Sequence, residues 1–154
     1  MNRLAYPLLT ASVLALTVCA VAKEKKIDRA ALPPAVEKTV QAQSQDATIK
    51  GFTTEVENGK RVYEAEMMVN GHSRDIEIAP DGSLNEVEEE VAFDSVPANV
   101  QATLTAKAKG AKITKVESLK KQDKLVAYEA ATLKGTKRGE IQVGPNGQTL
   151  SHEE

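Results

Sequence analysis

The clearest alternation of apolar and polar side chains in this sequence lies between the Asn-Gly pairs at 58–59 and 70–71. Apolar residues at 63, 65, 67 and 69 alternate there with Glu64, Glu66 and Met68. A period of two predicts a β-strand with one apolar face and an opposite face that carries both carboxylates. Each Asn-Gly pair favours a two-residue type I′ hairpin, because both residue types tolerate positive φ. The sequence therefore predicts an antiparallel sheet around this strand.

The segments around this strand follow helical and strand patterns in turn. Apolar residues at 32, 36 and 40 lie four apart behind two prolines, which predicts a short helix with proline in its first turn. Alternating patterns predict strands at 48–57, 72–79 and 84–93, and a slip of the first pattern at Gly51 indicates a β-bulge. Pro-Asp-Gly at 80–82 predicts the turn between the last two strands.

The second half of the chain repeats the order of the first half. Pro97 follows Pro33 at a distance of 64 residues, and Tyr128 follows Tyr63 at a distance of 65. Apolar residues at 96, 100, 104 and 108 predict a second helix, and further strands are predicted at 113–120, 125–134 and 139–143. Because the tyrosines occupy equivalent positions, we expect each to pack beneath the helix of its own half.

These patterns predict an α+β fold of two tandem repeats, at 31–93 and 94–150, followed by a short tail at 151–154. Each repeat combines a short helix with an antiparallel three- or four-stranded sheet, and the helices lie on one sheet face. An antiparallel sheet that is covered on one side leaves its other side in water. We therefore expect the opposite face to be open, polar and available to a partner.

Four features carry a resemblance to a known family. They are Leu-Pro or Val-Pro at the start of each helix, the Gly-Lys…Tyr-Glu strand at 59–64, the apolar third strand, and Pro-Asp-Gly or Pro-Asn-Gly at 80–82 and 145–147. In this order they make residues 31–150 resemble the PepSY-like family, also described as beta-lactamase-inhibitor-like. The second copy departs from the pattern, because Gln122-Asp123 replaces Asn-Gly in its first hairpin and leaves the turn type open.

The resemblance implies that each repeat packs a helix on an antiparallel sheet in a secreted or periplasmic protein. It also implies a role in binding or restraining another protein, often a peptidase. It supplies no catalytic residues that could be carried over to this chain.

The first 22 residues have the pattern of a secretory signal. A basic start is followed by an apolar run without charge at 4–18 and by Ala20-Val21-Ala22, which predicts cleavage before Lys23 and a flexible leader at 23–30. The mature protein would be periplasmic or secreted, with no stable membrane span. A membrane anchor and lipidation at Cys19 remain alternatives. After cleavage no cysteine remains, which excludes disulfides, thiol nucleophiles and thiolate metal sites.

The sequence lacks a recognisable catalytic or cofactor motif. His72 and His152 have no neighbouring nucleophile or orienting group in the sequence, so we predict a protein without catalytic residues, cofactor or metal cage. Glu86, Glu88 and Glu90 alternate along one predicted strand face. They are interpreted as solvated carboxylates that discourage aggregation, or alternatively as the cation-binding row of an envelope protein.

Charge is distributed unevenly between the two halves. The formal net charge of −2 argues against nucleic acid as a partner. Residues 31–93 contain thirteen acidic and five basic side chains, whereas residues 94–154 contain seven and ten. The two halves could attract one another within the chain, or the bipolar surface could steer a protein partner.

The predicted function is that of an exported, non-catalytic binding protein that inhibits or modulates a peptidase or another exported enzyme. We expect its partner to be another exported protein that binds the open sheet face. The predicted contacts are Glu64, Glu66, Met68, Glu129 and Leu133, with Lys120, Lys121 and Lys124 at the rim.

Overall fold

The computed structural model describes residues 24–57, 59–152 and 154. The predicted signal segment at 1–22, its cleavage site and Cys19 lie outside these residues. The strands are β1 (Lys25–Lys26), β2 (Ala47–Glu57), β3 (Lys60–Val69), β4 (His72–Ile78), β5 (Leu84–Glu90), β6 (Lys112–Lys121), β7 (Lys124–Lys134) and β8 (Lys137–Val143). The α-helices are α1 (Pro34–Gln43) and α2 (Ala98–Ala108), and two short 3₁₀ helices span Arg29–Ala31 and Phe93–Ser95. Among the described residues, no helix combines the length and apolar character needed to cross a membrane.

All eight strands form one antiparallel sheet in which the spatial order equals the sequence order. The sequence predicts an antiparallel sheet of three or four strands in each half, and in the structure the strands of both halves belong to one continuous sheet. Strand β5 pairs with β6 from Glu86↔Lys121 to Glu90↔Glu117, and this ladder joins the two halves. The join satisfies backbone N–H and C=O groups that two separate sheets would leave unpaired at their edges. The repeat bounds at 31–93 and 94–150 stay predictions.

The first half buries one face of α1 against the sheet. Val36 and Val40 are fully buried and pack with Met67, Ile76 and Ile78 in one hydrophobic cluster. Tyr63 is half-buried at the edge of this cluster, on the face that the sequence predicts. The alternation in β3 therefore selects the side that the helix covers.

The second half repeats this packing in a separate cluster. Val100 and Leu104 of α2 are fully buried and pack with Val116 and Ala130, and Tyr128 packs against the same cluster. The registers of β4 to β7 place both clusters on one side of the sheet. Both helices therefore cover the same face, as predicted.

The turns after β4 and β8 fix each helix to the sheet. Gly82 has a positive φ, and a Cβ placed on it would lie 2.8 Å from the carbonyl oxygen of Ala35 at the start of α1. The hydroxyl of Thr39 donates a hydrogen bond of 2.7 Å to the carbonyl of Gly82. In the second half Thr103 donates an equivalent bond of 2.8 Å to Gly147. Only glycine permits the backbone to approach the helix this closely.

The described part of the predicted flexible leader belongs to the fold. Strand β1 pairs with Thr53 and Thr54 of β2, and Ile27 packs against the first cluster. Arg29 donates a hydrogen bond of 2.8 Å to Glu37 on α1. The polar composition of this segment predicts flexibility, but its backbone pairs with the outer edge of β2. Composition alone does not reveal such backbone pairing.

Candidate functional site

The sheet face away from the helices is concave. A cavity of about 310 Å³ on this face is lined by residues of β2, such as Glu57, and also by Glu140 of β8. These strands lie six places apart in the sheet, which corresponds to roughly 29 Å in a flat sheet with strands about 4.8 Å apart. The sheet is therefore strongly curved, and we call the side that encloses this cavity the concave face.

The curvature corrects the prediction of an open, wet sheet face. Leu119 is 1% exposed and Ala127 is fully buried, although both lie on the concave face. Val62 on β3 is also buried there. The floor of the concave face is therefore withdrawn from solvent, and a partner must enter a hollow instead of covering a flat surface.

Nine carboxylates occupy directly paired positions on the concave face, in three rows that cross neighbouring strands. We call these the carboxylate rows. The first row is Glu64, Glu77 and Glu86; the second is Glu66, Asp75 and Glu88; the third is Glu90, Glu117 and Glu129. Like charges at directly opposed positions destabilise a sheet. The arrangement therefore costs stability, and nothing in the packing of the helix-covered face requires it.

Burial raises the pKa values of several carboxylates in these rows. The pKa of Glu88 rises to about 8, chiefly because burial removes water and secondarily because other carboxylates, including Glu129, lie nearby. Burial likewise raises the pKa of Glu64 to about 7, against a lowering by the hydroxyl of Thr53, which donates a 3.0 Å hydrogen bond. Near neutral pH the concave face therefore holds protons that solvated glutamates would release.

The carboxylates converge most closely where the second and third rows meet. Single oxygens of Asp75, Glu88 and Glu117 all lie within 4.8 Å of one another. Glu117 is only 4% exposed, and it accepts a hydrogen bond of 3.1 Å from the hydroxyl of Ser73. The ammonium of Lys115 lies 2.7 Å from the same carboxylate. This point of the face thus already attracts one cation from the chain itself.

Most of the predicted contact residues lie on the concave face. Glu64, Glu66, Met68 and Glu129 are half-buried there, and Glu64, Glu66 and Glu129 belong to the carboxylate rows. Leu133 lies near the end of β7 and is exposed. Their role as contacts stays a prediction, whereas their common face follows from the observed register.

The lysines predicted at the rim do not share one face. Lys121 lies on the concave face, where its ammonium is 3.4 Å from Glu86. Lys120 points to the helix-covered side and pairs with Glu89 at 3.0 Å. Neighbouring residues of a strand point to opposite faces, so these two cannot form one rim. Lys124 is the exposed first residue of β7 and stands directly opposite Lys121. These two ion pairs join β5 of the first half to β6 of the second half.

Three acidic residues of the rows were not singled out from the sequence. Asp75 and Glu77 alternate with the buried Ile76 and Ile78, so their shared face was readable from the pattern of β4. Glu117 follows Val116 in the same manner. What the pattern could not show is which carboxylates of different strands become direct neighbours.

The two histidines lie at separate positions of the chain and are both exposed. His72 begins β4 and lies 3.9 Å from Glu90. His152 lies in the C-terminal tail, where its Nδ1 is 3.0 Å from the hydroxyl of the adjacent Ser151. Neither histidine belongs to the carboxylate rows.

Several solved structures share this fold. A structure described as "putative periplasmic proteins" of Bacteroides eggerthii is 18% identical, with a TM-score of 0.61 over 77% of this chain and 86% of the other. A BLIP-like protein of Bacteroides fragilis is 17% identical, with a TM-score of 0.55 over 79% of this chain and 86% of the other. A DUF2874 family protein of Bacteroides ovatus is 12% identical, with a TM-score of 0.58 over 78% of this chain and 85% of the other.

No curated protein sequence matches this chain. The sequence model described as "Putative beta-lactamase-inhibitor-like, PepSY-like" matches it twice, at residues 19–70 and 61–143. Together these two matches include most of the chain and both of its helices. The two hydrophobic clusters and the two Gly-to-helix contacts follow the same order along the sequence. This chain belongs to the PepSY-like family.

Proposed function

We propose that this protein is an exported, non-catalytic binding protein that inhibits or modulates a peptidase or another exported enzyme. The observation that carries the proposal is the concave face, a hollow of about 310 Å³ formed by strands from both ends of the sheet. A concave surface with a buried floor and polar walls suits the capture of a protruding segment of another protein. The two helices pack on the opposite face of the sheet through the two hydrophobic clusters.

Family membership supports this proposal. The family carries the description beta-lactamase-inhibitor-like, and a structure of the same fold is described as BLIP-like. Another structure of this fold is described as periplasmic, which agrees with the signal pattern at 1–22. A mature chain without cysteine also suits an oxidising compartment, because no thiol is left to be oxidised.

Capture of a partner by the exported protein tests the proposal. We would immobilise the protein and compare wild type with Met68→Asp, which places a charge on the half-buried concave face. The matched control is Val56→Asp. Val56 is 40% exposed, and it lies on β2 with its side chain on the helix-covered side of the sheet. We expect Met68→Asp to lose a partner that wild type and Val56→Asp retain.

The enzymatic activity of the captured partner should then fall or change when the wild-type protein is added. The comparison is valid only if both variants have denaturation midpoints close to that of the wild type. Equal capture by both variants would contradict binding through the concave face and would favour the helical side.

Cation binding is a second candidate function, and the meeting point of Asp75, Glu88 and Glu117 favours it. A hard cation such as calcium prefers several oxygen ligands that converge on one point, and these three carboxylates have oxygens within 4.8 Å of one another. Glu88 also belongs to the acidic segment 86–90 that is interpreted from the sequence as an alternative cation-binding row. Against it stands Lys115, which already lies 2.7 Å from Glu117. Calorimetry with calcium and with transition metals would test it, with Glu88→Gln as the variant.

A further inference from the structure

We propose that the concave face binds a basic, extended segment of the partner protein, with Lys or Arg at alternate positions that meet successive carboxylate rows. This inference rests on the proposed function and specifies the chemistry of its partner. It follows from the negative charge of the carboxylate rows, from the distance between successive rows and from the partial burial of their carboxylates.

The sign of the charge differs between the two faces of the same strands. On the helix-covered face Arg74, Glu89 and Lys120 alternate in sign across β4, β5 and β6, with N–O distances of 3.1 and 3.0 Å. On the concave face the same three strands place Asp75 directly opposite Glu88, and carboxylates fill the other rows as well. The chain thus balances charge on the helix-covered face and accumulates an excess of negative charge on the concave face.

The accumulated charge is costly for the free protein and is compensated by a cationic partner. Directly opposed like charges destabilise a sheet, and burial adds a desolvation cost for each ionised carboxylate. Lys115 and Lys121 pair with Glu117 and Glu86 and so offset part of this charge. Additional Lys or Arg side chains would gain charge-assisted hydrogen bonds from the same rows. Charge complementarity therefore selects a basic segment over an acidic or apolar one.

The spacing of the rows matches an extended peptide. Along β5, which contributes one carboxylate to each row, successive rows lie two residues apart, which is about 6.6–6.8 Å. Residues i and i+2 of an extended segment are separated by the same distance and point in one direction. A segment that runs parallel to the strands therefore places alternate side chains over successive rows. Lys and Arg also have the length to reach half-buried carboxylates such as Glu88 from the mouth of the hollow.

Titration calorimetry with synthetic peptides tests this inference on the exported protein. The probe is a short capped peptide in which lysine alternates with serine. One control peptide carries glutamine in place of every lysine, and a second contains the same lysines in one block followed by the serines. We expect the alternating peptide to bind at least about tenfold more tightly than the glutamine peptide and several-fold more tightly than the block peptide, with affinity falling as salt is added.

Matched protein variants locate the binding site. Glu64→Gln and Glu88→Gln each replace one carboxyl group of the rows with a neutral amide of similar shape. At about pH 9, above the raised pKa values of both groups, each variant removes one charge, and we expect each to weaken binding of the alternating peptide about tenfold. Asp94→Asn removes one charge from the exposed 3₁₀ helix before α2 and should leave the affinity unchanged. Circular dichroism of all three variants confirms that they are folded.

Several outcomes would overturn the inference. Equal affinity for the alternating and block peptides, together with no loss in the two glutamate variants, would show unspecific attraction by net charge. Absence of binding, or tight binding of calcium alone at the same carboxylates, would also overturn it. If a partner protein depends on Met68 but is not displaced by the alternating peptide, the basic segment is wrong while the proposed function stands.

Discussion

The two faces of the single sheet use the same strands for opposite purposes. Towards the helices, β3 presents Ala65 and Met67, which are almost fully buried in a hydrophobic cluster. Towards the hollow, the same strand presents Glu64 and Glu66, which stand opposite other carboxylates. Alternation along a strand allows this separation, since each change of face takes only one residue. Burial of apolar side chains on the helix-covered face therefore stabilises the fold, whereas the opposed carboxylates of the concave face destabilise it.

Truncation in the helix-covered core should have the largest effect. Leu104 is fully buried between α2 and the sheet, so Leu104→Ala should lower the free energy of unfolding by about 2–5 kcal/mol. Leu133→Ala is the matched control, because Leu133 is 36% exposed and should cost well under about 1 kcal/mol. Chemical denaturation of both variants measures the difference, and similar losses would contradict the assignment of the two faces.

Glycine substitution tests how tightly the helices are fixed to the sheet. A Cβ at Gly147 would lie 2.7 Å from the carbonyl oxygen of Asn99, and φ is +73° there. Gly147→Ala should therefore cost about 2–4 kcal/mol, from backbone strain and overpacking together. Gly71 has a φ of +87° with open space around it, so Gly71→Ala should cost only the backbone strain of about 1–2 kcal/mol. Thermal denaturation compares the two, and equal shifts would show that the contact with α2 is unimportant.

The pH dependence of stability reports on the concave face. The folded pKa values of Glu64 and Glu88 are raised from the ordinary 4.5 to about 7 and about 8. The folded state therefore binds more protons, so its stability is highest below about pH 4.5 with respect to these groups and falls as pH rises towards 8.

A double variant, Glu64→Gln with Glu88→Gln, should flatten this fall. At pH 8 we expect it to be more stable than wild type by about 1–3 kcal/mol, because it removes two half-buried charges. Urea denaturation between pH 5 and pH 9 provides the measurement, with Asp94→Asn as the control. A double variant that is less stable than wild type at pH 8 would show that the rows stabilise the free protein.

The smallest effect concerns the two neighbouring lysines of β6. Lys120 and Lys121 form partly exposed ion pairs on opposite faces, so replacing either with alanine should change the free energy of unfolding by less than about 1 kcal/mol. Their effects on peptide binding should differ. Lys121→Ala removes a competing cation from the concave face and should tighten binding of the lysine peptide, whereas Lys120→Ala should leave it unchanged. Identical affinities for both variants would contradict the separation of faces.

Local features of the fold were predictable because neighbouring residues determine them. The register shift between Ile49 and Gly51 confirms the bulge predicted at Gly51. Gln122 and Asp123 both have positive φ, so this hairpin has the turn geometry that Asn-Gly would favour. The pairing of β5 with β6 and the strand at Lys25–Lys26 were not predicted, since both depend on backbone partners distant in sequence.

The amino-acid sequence is enough to tell which side chains share a face on each strand, because that depends only on alternation within the strand. It placed Glu64, Glu66 and Glu129 on polar strand faces, and it placed Val36 and Leu104 on the apolar stripes of their helices. Only the tertiary structure shows that carboxylates of five strands stand in rows on one concave face and that several of them line its hollow. Register between strands and curvature of the sheet arise from backbone pairing and helix packing across the whole chain, which no local pattern encodes.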